Sequence, residues 1–202
     1  MIKNLFNVLK KDPYALVGVL IYLFFILIAI FADLIAPNDP LRMLFNSSGL
    51  ARNIEPGREF LLGTTSNGRD IFSQLVHGSR NALYVGLTAA LAVALVGTIV
   101  GLISGYFGGW LDSLIMRLAD IALGIPFLPF VIVLAAFLGP SPWNVVIAIT
   151  LLAWPNSGRV IRSQVLSLRE RAYIESAKVS GCSNLRIIFV HIAPNILPLS
   201  FL

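Results

Sequence analysis

Apolar positions fall along the chain in long blocks separated by short polar stretches. The first block runs from Tyr14 to Ala36, with Asp33 its only charge. At about 1.5 Å per residue it is long enough to cross a ~30 Å hydrocarbon layer, so it predicts a membrane helix over 14–36. Lys3, Lys10 and Lys11 precede it, as in a signal peptide. A cleaved signal has a shorter apolar core that ends in small residues, whereas this block ends in bulky residues and Pro37, which predicts an uncleaved helix. The second block, Asn81 to Trp110, carries no charge and predicts a span over 81–107. A third span is expected over 112–138, kinked by Pro126 and Pro129. Gly139-Pro140-Ser141-Pro142 breaks it, and a fourth span follows over 143–158, with Pro155 near its far end.

Between the blocks, residues 37–80 are rich in Pro, Gly and Asn before residue 70, which predicts loop structure. From Asp70 onward, Ile71, Phe72, Leu75 and Val76 share one helical face and predict a separate short amphipathic helix. After the fourth block comes an Arg-rich polar stretch, and a new apolar run begins near Ile196. Three regions result. Residues 1–36 are a tail and the first span, and 37–80 are an external loop. Residues 81–202 form a core of three spans, with a cytosolic loop over 159–195 and the start of a further helix.

Two features inside the blocks bear on packing and passage. Gly86, Ala90, Ala94, Gly97, Gly101 and Gly105 recur every three or four residues, giving one smooth helix face. Small residues let helix backbones approach closely in lipid. Such a face serves packing within the chain, or a subunit contact or wall of a pathway. Arg117 and Asp120 are the second feature. Three residues apart, they share a face and are placed to pair. Charges in lipid are costly and face protein or water, so the pair reads as neutralised charge near the membrane edge or as part of a solute route.

Composition agrees with the blocks. Of 202 residues 57% are hydrophobic and 12% charged, about half the usual charged share of a soluble domain. The formal net charge is +5. The basic residues lie between apolar blocks, so they mark topology and lipid headgroups rather than nucleic acid. With the N-terminus in the cytosol, ten basic residues fall inside: Lys3, Lys10, Lys11, Arg117, Arg159, Arg162, Arg169, Arg171, Lys178 and Arg186. Five fall in the outside loop: Arg42, Arg52, Arg58, Arg69 and Arg80. The positive-inside rule favours that orientation. Cys182 is the lone cysteine, which excludes an intrachain disulfide and reads as a small unreactive residue in the cytosol. There is no phosphate-cradling G-x-x-x-x-G-K-[ST] loop, and His77 and His191 fall on opposite sides of the membrane. No catalytic residue, metal site or cofactor is expected.

The cytosolic stretch is the informative one. Tyr173, Ala177 and Val179 fit a short helix with one apolar side. Gly181 breaks it, Ile187, Ile188 and Val190 begin a second apolar segment, and Pro194 is expected to end it. Helix, Gly hinge and helix make a compact protrusion suited to a partner's groove.

The spacing of Glu175, Ala177, Gly181 and Pro194 resembles the coupling loop of bacterial ATP-binding-cassette importer permeases. That motif is Glu-Ala-Ala, three residues, Gly, then about nine residues before Ile-x-Leu-Pro. Ser176 stands for its first Ala, His191 for the Ile, and Ala193 for the Leu. Leu62-Gly63-Thr64, Gly68-Arg69-Asp70, Gly105-Tyr106-Phe107-Gly108-Gly109-Trp110-Leu111-Asp112 and Leu166-Ser167-Leu168-Arg169-Glu170-Arg171 resemble the second, C-type permease of dipeptide and oligopeptide importers. Nickel and glutathione importers share this permease type.

The resemblance implies an all-α, polytopic transmembrane helix bundle of the type I importer fold in a bacterial or archaeal plasma membrane. It implies six helices, two of them after the coupling loop, and this chain ends before those two. It further implies a second, different permease subunit, two ATPase subunits bound through Glu175 to Gly181, an extracytoplasmic solute-binding protein, and surrounding membrane lipid. ATP chemistry would stay in the partner. Two rival classes need no ATPase: an ion-coupled transporter or channel using Arg117 and Asp120, and a structural membrane anchor.

Overall fold

The computed structural model describes residues 12–46 and 49–197. Lys3, Lys10 and Lys11 and the apolar run past Leu197 lie outside the described residues. The chain divides into two compact units, Met1–Tyr84 and Val85–Leu202. The division falls inside a helix.

The first unit opens with α1 (Pro13–Ile30) and a single further turn, α2 (Ala32–Ile35). Asp12 caps α1: its carboxylate accepts from the amides of Tyr14 at 2.9 Å and Ala15 at 3.3 Å. Pro13 at the first helical position lacks the N–H that would otherwise be orphaned. Of its side chains α1 buries only Ala29, as expected of a helix that faces lipid on most sides. The expected span over 14–36 is therefore interrupted at Phe31, where the backbone leaves helical geometry.

Residues 36–70 carry the short hairpin β1 (Phe45–Asn46) and β2 (Gly49–Leu50) and are organised by side chain to backbone bonds. Thr64 is buried; its hydroxyl donates to the Ala51 carbonyl at 2.6 Å and accepts from the Ile54 amide at 2.9 Å. Gly68, at φ +69°, tucks beneath Leu50, and its carbonyl accepts from the Leu44 amide at 2.8 Å. Asp70 is buried ahead of the next helix. One carboxylate oxygen accepts from the Ser73 hydroxyl at 2.5 Å and the Ser73 amide at 3.3 Å, which caps that helix.

That helix, α3 (Ile71–Phe107), is continuous over 37 residues. The amphipathic helix expected from Asp70 and the span expected over 81–107 are therefore one element. The polar run Gly78-Ser79-Arg80-Asn81 does not break it. Arg80 instead donates to the Ala29 carbonyl at 3.0 Å, an acceptor left open at the end of α1, and to the Asp33 carboxylate of α2 at 3.1 Å.

In the second unit, Gly108 and Gly109 turn the chain at φ +66° and +58° into α4 (Gly109–Gly124). The expected single helix over 112–138 is two. The chain bends by 90° between α4 and α5 (Phe127–Leu138). Pro126 forces the residue before it out of the helical region, and Ile125 has ψ 128°. Pro129 lies in the first turn of α5, where a missing N–H costs nothing. Ser141 then caps α6 (Pro142–Arg169), and Pro142 stands at its first turn. This helix runs well past the expected end at 158.

By length and composition α1 and α3 can each cross a membrane, and α4 with α5 would make a third crossing if counted as one broken span. The fourth expected span, in α6, is not among them, because Pro155 to Arg159 dilute its apolar run. It buries Val146, Ala148, Leu152, Pro155, Gly158, Ile161 and Val165 instead, a helical stripe turned toward protein.

Candidate functional site

The candidate site gathers where the ends of α3 and α6 meet the last part of the chain. Gly97, Gly101 and Gly105 of α3 lie directly on α6. A Cβ on Gly97 would meet Ser157 at 2.7 Å, one on Gly101 the Gly158 carbonyl at 2.7 Å, and one on Gly105 Val165 at 2.7 Å. No side chain fits these positions without displacing α6. The rest of the small-residue face behaves differently: Gly86 and Ala90 are exposed and Ala94 is half-buried.

Beyond α6 the chain forms α7 (Ala172–Val179), turns at Gly181, and continues as α8 (Asn184–Arg186), a wide π-helical segment Ile187–Ile192, and α9 (Ala193–Ile196). Gly181 has φ +77°, and nothing lies within 4 Å of where its Cβ would be. The turn needs the left-handed backbone, not the missing volume. Pro194 was expected to end the second helix. It opens α9 instead. Lacking an N–H, it cannot close the preceding α-turn, and its ring pushes back the carbonyl four residues earlier, so a π-turn precedes it. The Asn195 side chain donates from Nδ2 to the His191 carbonyl at 2.7 Å beside that wide turn.

One face of this bracket is core. Ile174, Ile187, Ile188, Ile192 and Ile196 pack with Leu102 and Tyr106 of α3 and Ile161 and Val165 of α6. Ala177 and Cys182 are half-buried against the same cluster. The opposite face is exposed and apolar: Tyr173, Val179, Leu185, Phe189 and Val190 face outward, Val179 with 86% of its surface free. Glu175 and Ser176 are exposed beside it.

Polar contacts tie the bracket's root to the α3–α4 turn. Arg169, at the end of α6, donates to the Gly105 carbonyl at 3.1 Å, one of the acceptors that the end of α3 leaves open. Tyr106 donates its hydroxyl hydrogen bond to Asn184 Oδ1 at 2.8 Å, and Lys178 Nζ lies 5.7 Å above the Tyr106 ring. Arg162 forms a two-pronged bond to Asp112, Nε to Oδ1 and Nη2 to Oδ2, both at 2.5 Å.

Asp120 pairs with Arg159 of α6, not with Arg117 one turn away on its own helix. Both α4 carboxylates thus reach across to α6, because its arginines at 159 and 162 recur on the face that α4 packs against. The sequence offered no direct signal for these cross-helix bonds. Tyr106, Asp112 and Arg169 do lie in the two stretches that carry the family resemblance, which read as motifs without a stated task.

A mostly helical chain with several apolar helices and a bracket of helices with an exposed apolar face defines a class: a polytopic membrane protein. The family follows from comparison with known proteins. Residues 97–202 match the model of the binding-protein-dependent transport system inner membrane component, and residues 2–56 match the N-terminal TM domain of oligopeptide transport permease C. The chain belongs to the first of these families and is a multi-pass membrane protein.

It is 44% identical over 194 residues to the dipeptide transport system permease protein DppC of Alkalihalophilus pseudofirmus, covering 96% of this chain and 62% of that protein. Identity to DppC of Haemophilus influenzae is 40% over 192 residues, 93% of this chain and 64% of that protein. Against the oligopeptide transport system permease protein OppC of Bacillus subtilis it is 34% over 187 residues, 92% of this chain and 60% of that protein. The chain thus spans less than two thirds of the length of each of these relatives.

Proposed function

We propose that this chain is a membrane-spanning permease subunit of an ATP-binding-cassette importer for peptides or similar small solutes. The observation that carries the reading is the two-faced bracket of α7 to α9. Its inner face is locked into the ends of α3 and α6, and its outer face presents exposed apolar side chains around a left-handed glycine turn. Exposed apolar groups at a protein's end mark a partner site. A partner that pushes on the outer face moves the helices joined to the inner one. Hydrolysis then belongs to ATPase subunits that hold Glu175 to Gly181, and transport follows from rocking between two helix arrangements. A second, different permease subunit and an extracytoplasmic binding protein complete the assembly. The N-terminus lies in the cytosol, in a bacterial or archaeal plasma membrane. The peptide relatives named above support the solute class.

The test is co-purification of the ATPase subunits with the full-length permease carrying Gly181→Val or Glu175→Lys. Valine at Gly181 has room but the wrong backbone, at a cost of about 1–3 kcal/mol. Lysine at Glu175 reverses a charge at the docking edge, where a mismatch costs several kcal/mol. Both should lower ATPase recovery, while Glu59→Gln, exposed in the 36–70 segment, should not. Equal recovery in all three would overturn the docking assignment.

A further inference from the structure

We propose that Tyr106 is the joint that makes the bracket and α3 move as one body, with its hydroxyl bond to Asn184 as the fastening. This rests on the reading of α7 to α9 as the ATPase-docking element and says how a push there reaches a membrane span. Tyr106 stands one residue before the end of α3, buried in the same cluster as Ile174, Ile187 and Ile192. Three contacts converge on this single side chain. Its ring packs in the cluster, Lys178 of α7 sits over the ring face at 5.7 Å, and its hydroxyl reaches Asn184 of α8 at 2.8 Å. It therefore touches both arms of the bracket, one on each side of the Gly181 turn.

The geometry separates two roles. Apolar packing is non-directional and lets surfaces slide. A hydrogen bond with one donor and one acceptor fixes position and direction. Arg169 fastens to α3 as well, but from the root of the bracket on α6, through a backbone carbonyl. Among the described contacts the Tyr106–Asn184 bond is the one between side chains that ties α3 to the far arm. Tyr106→Phe removes that bond alone and leaves the ring, its packing and the Lys178 contact in place. Asn184→Asp keeps the acceptor, and Asn184→Leu deletes it.

The experiment uses the full-length permease assembled with its ATPase subunits, in a Cys182→Ala background. Nitroxide labels are placed at Leu95→Cys on α3 and Arg186→Cys on the bracket, both exposed. Spin–spin distances are recorded without nucleotide and with ATP plus vanadate. The joint predicts one unchanged, narrow distance in both states for the parent and for Asn184→Asp. Tyr106→Phe and Asn184→Leu should still retain the ATPase subunits but show a second, broader distance once nucleotide is trapped. Loss of one neutral hydrogen bond should shift that balance roughly three- to tenfold. A purely structural role for Tyr106 would instead broaden the distance equally with and without nucleotide, which overturns the proposal. So would unchanged distances in Tyr106→Phe, or a parent whose own distance changes. A parent complex that fails to hold ATPase subunits at all sinks the docking reading itself, a result distinct from the others.

Discussion

At the scale of single residues, the same amino acid on the same helix carries opposite meanings. Gly101 faces the Gly158 carbonyl and the Ile161 side chain at Cβ distances of 2.7 Å, while nothing stands within 4 Å of a Cβ on Gly86. Alanine at 101 must displace backbone, and overpacking of this kind costs about 1–3 kcal/mol. Alanine at 86 meets no obstacle and removes the helix-interior penalty of glycine, a gain of about 0.5–1 kcal/mol. Thermal unfolding of the full-length permease in detergent should therefore move in opposite directions for Gly101→Ala and Gly86→Ala. A shift of the same sign in both would show that α3 does not pack as described. The recurrence of small residues was plain in the sequence. Which half of the stripe meets α6 was not, because spacing along one helix carries no information about where its neighbour ends.

Among elements, legibility followed the range of the interaction. The breaks that rest on local chemistry were readable: Gly139-Pro140-Ser141-Pro142, the Gly108-Gly109 turn, and Gly181 with its left-handed φ. Those set by another element were not. Arg80 reads as the last residue of the polar stretch ahead of the second apolar block, yet it lies within α3, where the Ala29 carbonyl and Asp33 accept from it. Pro126 reads as a kink, yet the chain bends there by 90°. Charges on α4 read as a local pair at 117 and 120, yet both of its aspartates reach α6. The two cross-helix pairs also differ in worth. Asp112 and Arg162 have side chains only 15% and 30% exposed and share two bonds; charged hydrogen bonds of this sort contribute about 1.5–3 kcal/mol. Asp120 and Arg159 are 67% and 45% exposed, and such pairs contribute about 0–1 kcal/mol. A double-mutant cycle on Asp112→Asn and Arg162→Gln, read as stability in detergent, should give a coupling clearly larger than one on Asp120→Asn and Arg159→Gln. Equal couplings would mean that the α4–α6 contact is looser than its geometry.

For the whole molecule, the proposed orientation in the membrane ties the residues to a mechanism, and it rests on charge distribution and on connectivity. The first is the distribution of basic residues in the sequence, ten in the stretches expected in the cytosol and five in residues 37–80, with cytosolic loops favoured to hold the excess. The second is connectivity. Arg162 binds Asp112 at the start of α4, and Arg169 binds the Gly105 carbonyl near the end of α3. The α3–α4 turn, the end of α6 and the bracket must then lie at one face of the membrane. At 37 residues α3 is about 55 Å long, more than a ~30 Å hydrocarbon layer needs. Under the proposed orientation residues 37–80 are outside and the bracket is inside. Single cysteines at Asn46 and Ser167, both exposed, report the two faces in a Cys182→Ala background. In intact cells an impermeant thiol reagent should label Asn46→Cys and leave Ser167→Cys unlabelled until the membrane is opened. The reverse pattern would put the bracket outside, where no ATP is available to drive it, and would end the importer reading along with the orientation.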